Sequence, residues 1–136
     1  MIKKTVTYED FNGVSHTEDL YFNLTKTEVL QIAKSDPQLI DDLQAAIATK
    51  DGLKLMDSYE KFIKKSYGTK SEDGRRFIKS EEALNDFLQS AVYDKFFWDL
   101  MNDPEGAGDF ILGIMPKDMT EQALQKIKDG EITVSQ

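Results

Sequence analysis

The sequence predicts an α+β fold, an N-terminal β-hairpin packed on a predominantly helical single domain. Three features of the 136-residue chain carry that reading. Asn12-Gly13 joins two segments of alternating polarity near the N-terminus. Beyond Leu24, apolar residues recur at intervals of three and four, the spacing of one helix face. With 40% hydrophobic and 31% charged residues, the composition suits a single core that buries roughly two thirds of the unfolded surface.

The hairpin signal runs through "KTVTYEDFNGVSHTEDLYFNL". A two-residue turn would pair Phe11 with Val14 and put Val6 and Tyr8 on the face opposite Leu20. A three-residue connection, Phe11 to Gly13, pairs Asp10 with Val14 and Tyr8 with His16. Val6, Tyr8, Val14, Leu20 and Phe22 then share one face, and Gly13 occupies the left-handed bulge position. The second register is expected, over about residues 4–23, because it buries the apolar side chains together. A two-stranded hairpin is marginal alone, so this one must lean on helices or on a partner's strand.

Helices are expected next. Thr25 and Glu28 form a capping box ahead of Val29, Leu30, Ile32 and Ala33. Pro37 ends that helix or begins the next, where Leu39, Ile40, Leu43 and Ile47 align. Asp51-Gly52 marks a turn. A third helix, from near Leu53, aligns Leu55, Met56, Tyr59, Phe62, Ile63 and Tyr67, and Gly68 closes it in the left-handed conformation. From Ser80, the residues Leu84, Phe87, Leu88, Ala91, Val92, Phe96 and Leu100 line a broad face of one bent helix or of two, with Ser90 as cap of the second. Pro104 suits the first turn of a short helix carrying Phe110, Ile111, Ile114 and Met115, which Pro116 ends. Residues 1–119 are expected to form the domain. Residues 120–136 supply a marginal helix, docked by Leu124 and Ile127, and a frayed "EITVSQ".

Composition narrows the function. The chain has no cysteine, which removes disulfides and thiolate metal sites. "MIKKTVTYEDF" has no continuous apolar segment like that of a secretory signal, and no apolar run reaches membrane-spanning length, so a soluble intracellular protein is expected. A net charge of −8, from 25 acidic and 17 basic residues, opposes nonspecific attraction to nucleic acid unless positive charge is concentrated locally.

No catalytic constellation is expected. His16 is the single histidine, and it sits on a strand with no nucleophile predicted beside it. Asp41-Asp42 and Glu81-Glu82 are neighbours in helices and diverge around the axis, which favours solvated faces or helix-end electrostatics over a metal or acid–base site. Positive charge crowds beside glycines only in "SYGTKSEDGRRFIKS". Gly74 is followed there by Arg75-Arg76, where a P-loop needs lysine and then serine or threonine. Glu72 and Asp73 interrupt the patch, so the expectation is a solvated connector whose Phe77 and Ile78 pack back onto the core. Neither a cofactor nor a metal is called for.

The fragments "KTVTYEDFNG", "TEDLYFNLTKTE", "KSYGTKSEDGRRFIKS" and "GDFILGIMPKD", in that order and spacing from Lys3 to about Met119, resemble the tail assembly chaperone family of long-tailed bacteriophages and prophages of Gram-positive hosts. The resemblance implies a noncatalytic binding protein of the bacterial cytoplasm, absent from the mature virion. Its implied work is to keep the tape measure protein soluble while the tail tube assembles; the alternative is a generic protein-interaction or regulatory module. The tape measure protein is the implied partner, with the major tail protein and self-association as further candidates, and neither nucleic acid nor membrane. On that reading the candidate protein-binding residues are Arg75 and Arg76, facing acids of a partner, and Phe97 and Trp98. Three successive aromatics from Phe96 cannot all point inward from one helix, so at least one approaches the surface as an interface anchor. Groove or coat-like packing of a helical client is the favoured mode.

Overall fold

The computed structural model describes residues 1–49, 52–119 and 121–130. The fold is α+β. The first hairpin is β1 (Ile2–Glu9) and β2 (Ser15–Phe22), paired Tyr8↔His16 and Glu9↔Ser15 in the expected register. Asp10 N donates to Val14 O at 2.9 Å, and Gly13, at φ 79°, takes the left-handed position that a side chain would strain. Val6, Leu20 and Phe22 are buried and Tyr8 half-buried. Val14 departs from the expectation at 52% exposure, because the tip of the hairpin projects past the helices that cover the rest of this face.

Two helices follow, α1 (Lys26–Ser35) and α2 (Pro37–Thr49). Both arms of the Thr25–Glu28 capping box form, at 2.9 and 3.1 Å. Pro37 opens α2, where its missing N–H is no loss. Leu39, Ile40, Leu43 and Ala46 are fully buried. Asp51 lies outside the described residues, and a turn over 52–55 precedes α3 (Met56–Ser66). This helix starts later than expected and leaves Met56 exposed, while Tyr59, Phe62 and Ile63 are buried.

The main correction concerns the connector. The third helix stops at Ser66, before Gly68, and the chain forms β3 (Tyr67–Lys70) and β4 (Phe77–Ile78), giving a four-stranded sheet of order β1-β2-β3-β4. β3 pairs antiparallel with β2 through Tyr21↔Gly68 and Phe22↔Tyr67. Satisfying the second edge of β2 decides the issue, since its main-chain groups would otherwise lie unpaired beside a buried core. Gly68 is not a left-handed cap. Its role is spatial, because a Cβ there would meet the Phe77 ring at 2.6 Å and the Ile78 carbonyl oxygen at 2.8 Å. Phe77 is therefore half-buried against β3, and Ile78 is exposed; neither joins the core as expected.

The remaining helices are α4 (Glu81–Leu88), α5 (Ala91–Met101), α6 (Pro104–Ile114) and α7 (Glu121–Lys128). Ser90 caps α5 by accepting from Tyr93 N at 3.3 Å, so the apolar run from Ser80 is two helices. Asp103 caps α6 through Gly106 N, with Pro104 following it. Leu124 of α7 is buried against the core, and the frayed tail expected over 131–136 lies outside the described residues. At the centre of the core, Phe22 stacks on Phe96 at 5.1 Å and meets Phe110 edge-on at 5.1 Å. Lys79 ties the layers together. Its ammonium donates to Asn23 O at 2.8 Å, Lys65 O at 2.7 Å and Glu28 Oε2 at 2.6 Å, joining the ends of β2 and α3 to the start of α1.

Candidate functional site

The successive aromatics of α5 divide as helical geometry requires. Phe96 is buried, Phe97 is half-buried, and Trp98 is 69% exposed. An aromatic series links them to the core. Phe87 lies 6.2 Å from Phe22 and 5.3 Å from Tyr93, which lies 5.7 Å from Phe97. Tyr67 of the second hairpin stacks on Phe87 at 4.1 Å, so the floor is braced from the sheet as well. Tyr93 and Phe97 thereby sit in fixed positions at the surface.

An open groove of about 920 Å³ lies between this helix and the tip of the first hairpin. Its apolar lining includes Tyr8, Phe11, Leu88, Tyr93, Phe97 and Trp98, and Glu9, Asp94 and Lys95 add charge. Phe11, at 85% exposure, is the aromatic that sequence reasoning missed, having been treated only as part of a turn. The signal was available: a large apolar residue at a tight hairpin tip has nowhere to bury.

The tip that presents Phe11 is tied internally. Asp10 Oδ1 accepts from Asn12 N at 2.8 Å and Val14 N at 2.9 Å, and Oδ2 pairs with His16 Nε2 at 2.7 Å. The His16 hydrogen bond, then that from Val14 N, holds the Asp10 carboxyl below the ordinary aspartate range. His16 also stacks on Tyr8, with centroids 5.5 Å apart. The Tyr8 hydroxyl donates to Glu18 Oε1 at 2.6 Å, and this hydrogen bond is the main reason its phenol is pushed up to about 12. His16 thus serves the architecture of the tip.

Arg75 and Arg76 sit apart from this groove, on the turn between β3 and β4. That turn is also ordered from within. Asp73 Oδ1 accepts from Ser71 Oγ at 2.7 Å and Arg75 N at 3.1 Å, Ser71 Oγ accepts from Arg76 N at 3.0 Å, and Gly74 has φ 74°. Both arginines are exposed, and neither guanidinium has a side-chain partner among the described residues. The structure therefore brings Phe97 and Trp98 together with Phe11 and leaves Arg75 and Arg76 as a separate positive point.

Among the described residues, no group of three or more histidine, cysteine or acidic side chains is placed to hold a metal ion, and no helix is long and apolar enough to cross a membrane. Glu81 and Glu82 lie in the first turn of α4, and Asp42 accepts from Ser58 Oγ at 2.6 Å. Comparison with known proteins adds a family. A family model described as phage tail assembly chaperone matches residues 1–136. No curated protein matches, and no solved structure does.

Proposed function

The chain belongs to the phage tail assembly chaperone family, and on that premise we propose that it binds the tape measure protein reversibly and keeps it soluble while the tail tube assembles. The observation that carries this reading is the groove between Phe11 and Trp98, which are 85% and 69% exposed. Two large aromatics facing a shared apolar floor fit an amphipathic helix, whose apolar side chains recur at intervals of three and four. The chaperone's net charge of −8 keeps the loaded complex soluble by repulsion between copies.

Binding suffices for this work, with no nucleotide hydrolysed, and it takes place in the host cytoplasm before the virion matures. Arg75 and Arg76 offer a second, electrostatic contact to acids of the client or of the major tail protein. The chaperone-like domain is assigned to residues 1–119, and Leu124 of α7 packs onto its core. Coexpression tests the assignment. Wild-type chain should raise the yield of soluble tape measure protein, and Trp98→Asp should lower that yield while unfolding like wild type, because Trp98 is exposed. A folded wild-type chain that neither binds nor solubilises a competent tape measure protein at about micromolar concentration would sink it.

A further inference from the structure

β1 closes one side of the sheet, whose order is β1-β2-β3-β4, and no strand lies beyond it among the described residues. The hairpin register decides which of its main-chain groups face outward. Asp10 N bonds to Val14 O, so the even-numbered residues of β1 face β2. By the alternation of an antiparallel ladder, Lys3, Thr5, Thr7 and Glu9 direct N–H and C=O away from it. None of these four exchanges a main-chain hydrogen bond elsewhere among the described residues. The strand pairs with β2 without interruption from Ile2↔Phe22 to Glu9↔Ser15 and carries no proline or bulge, the usual means of blunting such an edge.

We infer that this edge pairs antiparallel with β1 of a second copy, on a two-fold axis at Val6, joining two four-stranded sheets into one. In that register Lys3 faces the partner's Glu9, Thr5 faces the partner's Thr7, and both relations recur with the strands exchanged. Such self-complementarity is what a two-fold interface requires. The side chains of Lys3, Thr5, Thr7 and Glu9 are all exposed on one face of the sheet, where directly opposed cross-strand neighbours interact. The charges select the register. A slip of two residues either way removes both ion pairs, and a parallel pairing sets Lys3 beside the partner's Lys3. One strand pair is a small interface, so the dimer dissociates on dilution. It uses neither Phe97 nor Trp98, but Thr7 and Glu9 also line the groove, so a client seated there competes with the second copy, and the pairing is tested on the isolated chain, where no client competes.

Sedimentation equilibrium of the isolated full chain tests the pairing. Wild type should pass from monomer to dimer between about 10 µM and 1 mM. Lys3→Glu and Glu9→Lys should each weaken the dimer about tenfold, and the double variant should recover wild-type association, because the swapped charges again oppose each other. Thr5→Pro removes an outward N–H, leaves the ladder to β2 intact, and should abolish the dimer while circular dichroism reports cooperative unfolding. A wild-type chain that stays monomeric at about 1 mM overturns the proposal, as does a dimer indifferent to Thr5→Pro, or a double variant no better than the singles. If the chain stays monomeric but a tape measure segment protects the Thr5 and Thr7 amides from exchange, the edge belongs to a client strand and the self-pairing is again overturned.

Discussion

Lys79 Nζ donates to Glu28 Oε2 at 2.6 Å, while Oε1 of the same carboxylate accepts from Thr25 N at 2.9 Å and closes the capping box of α1. One carboxylate thus both ends a helix and anchors a lysine that spans three elements. Burial alone would raise the Glu28 pKa. The hydrogen bonds from Lys79 and Thr25 N, together with the lysine's charge, outweigh it and leave the carboxyl below its ordinary value of 4.5.

Acid should therefore act through this pair. Because the folded-state pKa is lowered, the stability that Glu28 contributes is present above the unfolded value and is lost as pH falls through the folded value. Glu28→Gln should flatten the loss of stability below about pH 5, measured by urea unfolding across a pH series. Lys79→Met should cost about 1–3 kcal/mol at neutral pH, since the carbonyls of Asn23 and Lys65 lose their shared donor. An unchanged acid profile in Glu28→Gln would remove the pair from the account.

Gly68→Ala sets strand propensity against packing. Alanine is the better strand residue, yet its Cβ would stand 2.8 Å from the Ile78 carbonyl oxygen, a backbone atom with little room to retreat. Packing should win, at a cost of about 1–3 kcal/mol in chemical unfolding. A neutral or stabilised variant would show that β4 is free to shift away from β3.

The β3–β4 turn should separate its residues sharply. Arg75→Ala with Arg76→Ala should change stability by no more than about 0.5 kcal/mol, because both side chains are exposed and unpaired among the described residues. Gly74→Ala should cost about 1 kcal/mol, since the residue holds φ 74°. Thermal unfolding of the two variants decides, and loss of cooperativity in the arginine variant would contradict a peripheral turn.

Phe11 and Trp98 should act as one binding unit. If a client helix bridges them, Phe11→Ala and Trp98→Ala should each weaken binding by about 2 kcal/mol, roughly 30-fold, and the double variant should lose less than the sum. Isothermal titration with a tape measure segment provides the double-mutant cycle. Strict additivity would mean that the two lips contact the client independently.

Much of this architecture is local and was therefore readable. Gly13 and the alternation on either side of it set the hairpin register; Thr25 with Glu28, Pro37, Ser90 and Pro104 mark helix ends through contacts within a few residues. Helical angles alone dictated that Phe96, Phe97 and Trp98 divide between core and surface. The choice of Trp98 as the exposed one came from which face α5 turns to β1 and α6.

The second hairpin and the Lys79 anchor were decided elsewhere. Asp73-Gly74 between short β-forming segments is a hairpin signal, but four and two residues are too few to show alternation against the strong helical pattern that ends at Ser66. The open edge of β2 tips that balance, and it exists only once the chain has folded. Lys79 reaches partners 14, 51 and 56 residues away, and Phe11 meets Trp98 across a groove made by elements distant in sequence. Sequence determines contacts that a few residues can make among themselves. Tertiary structure chose the sheet's second edge, the lysine's three acceptors and the groove, because each depends on the free energy of satisfying groups that the chain brings together only on folding.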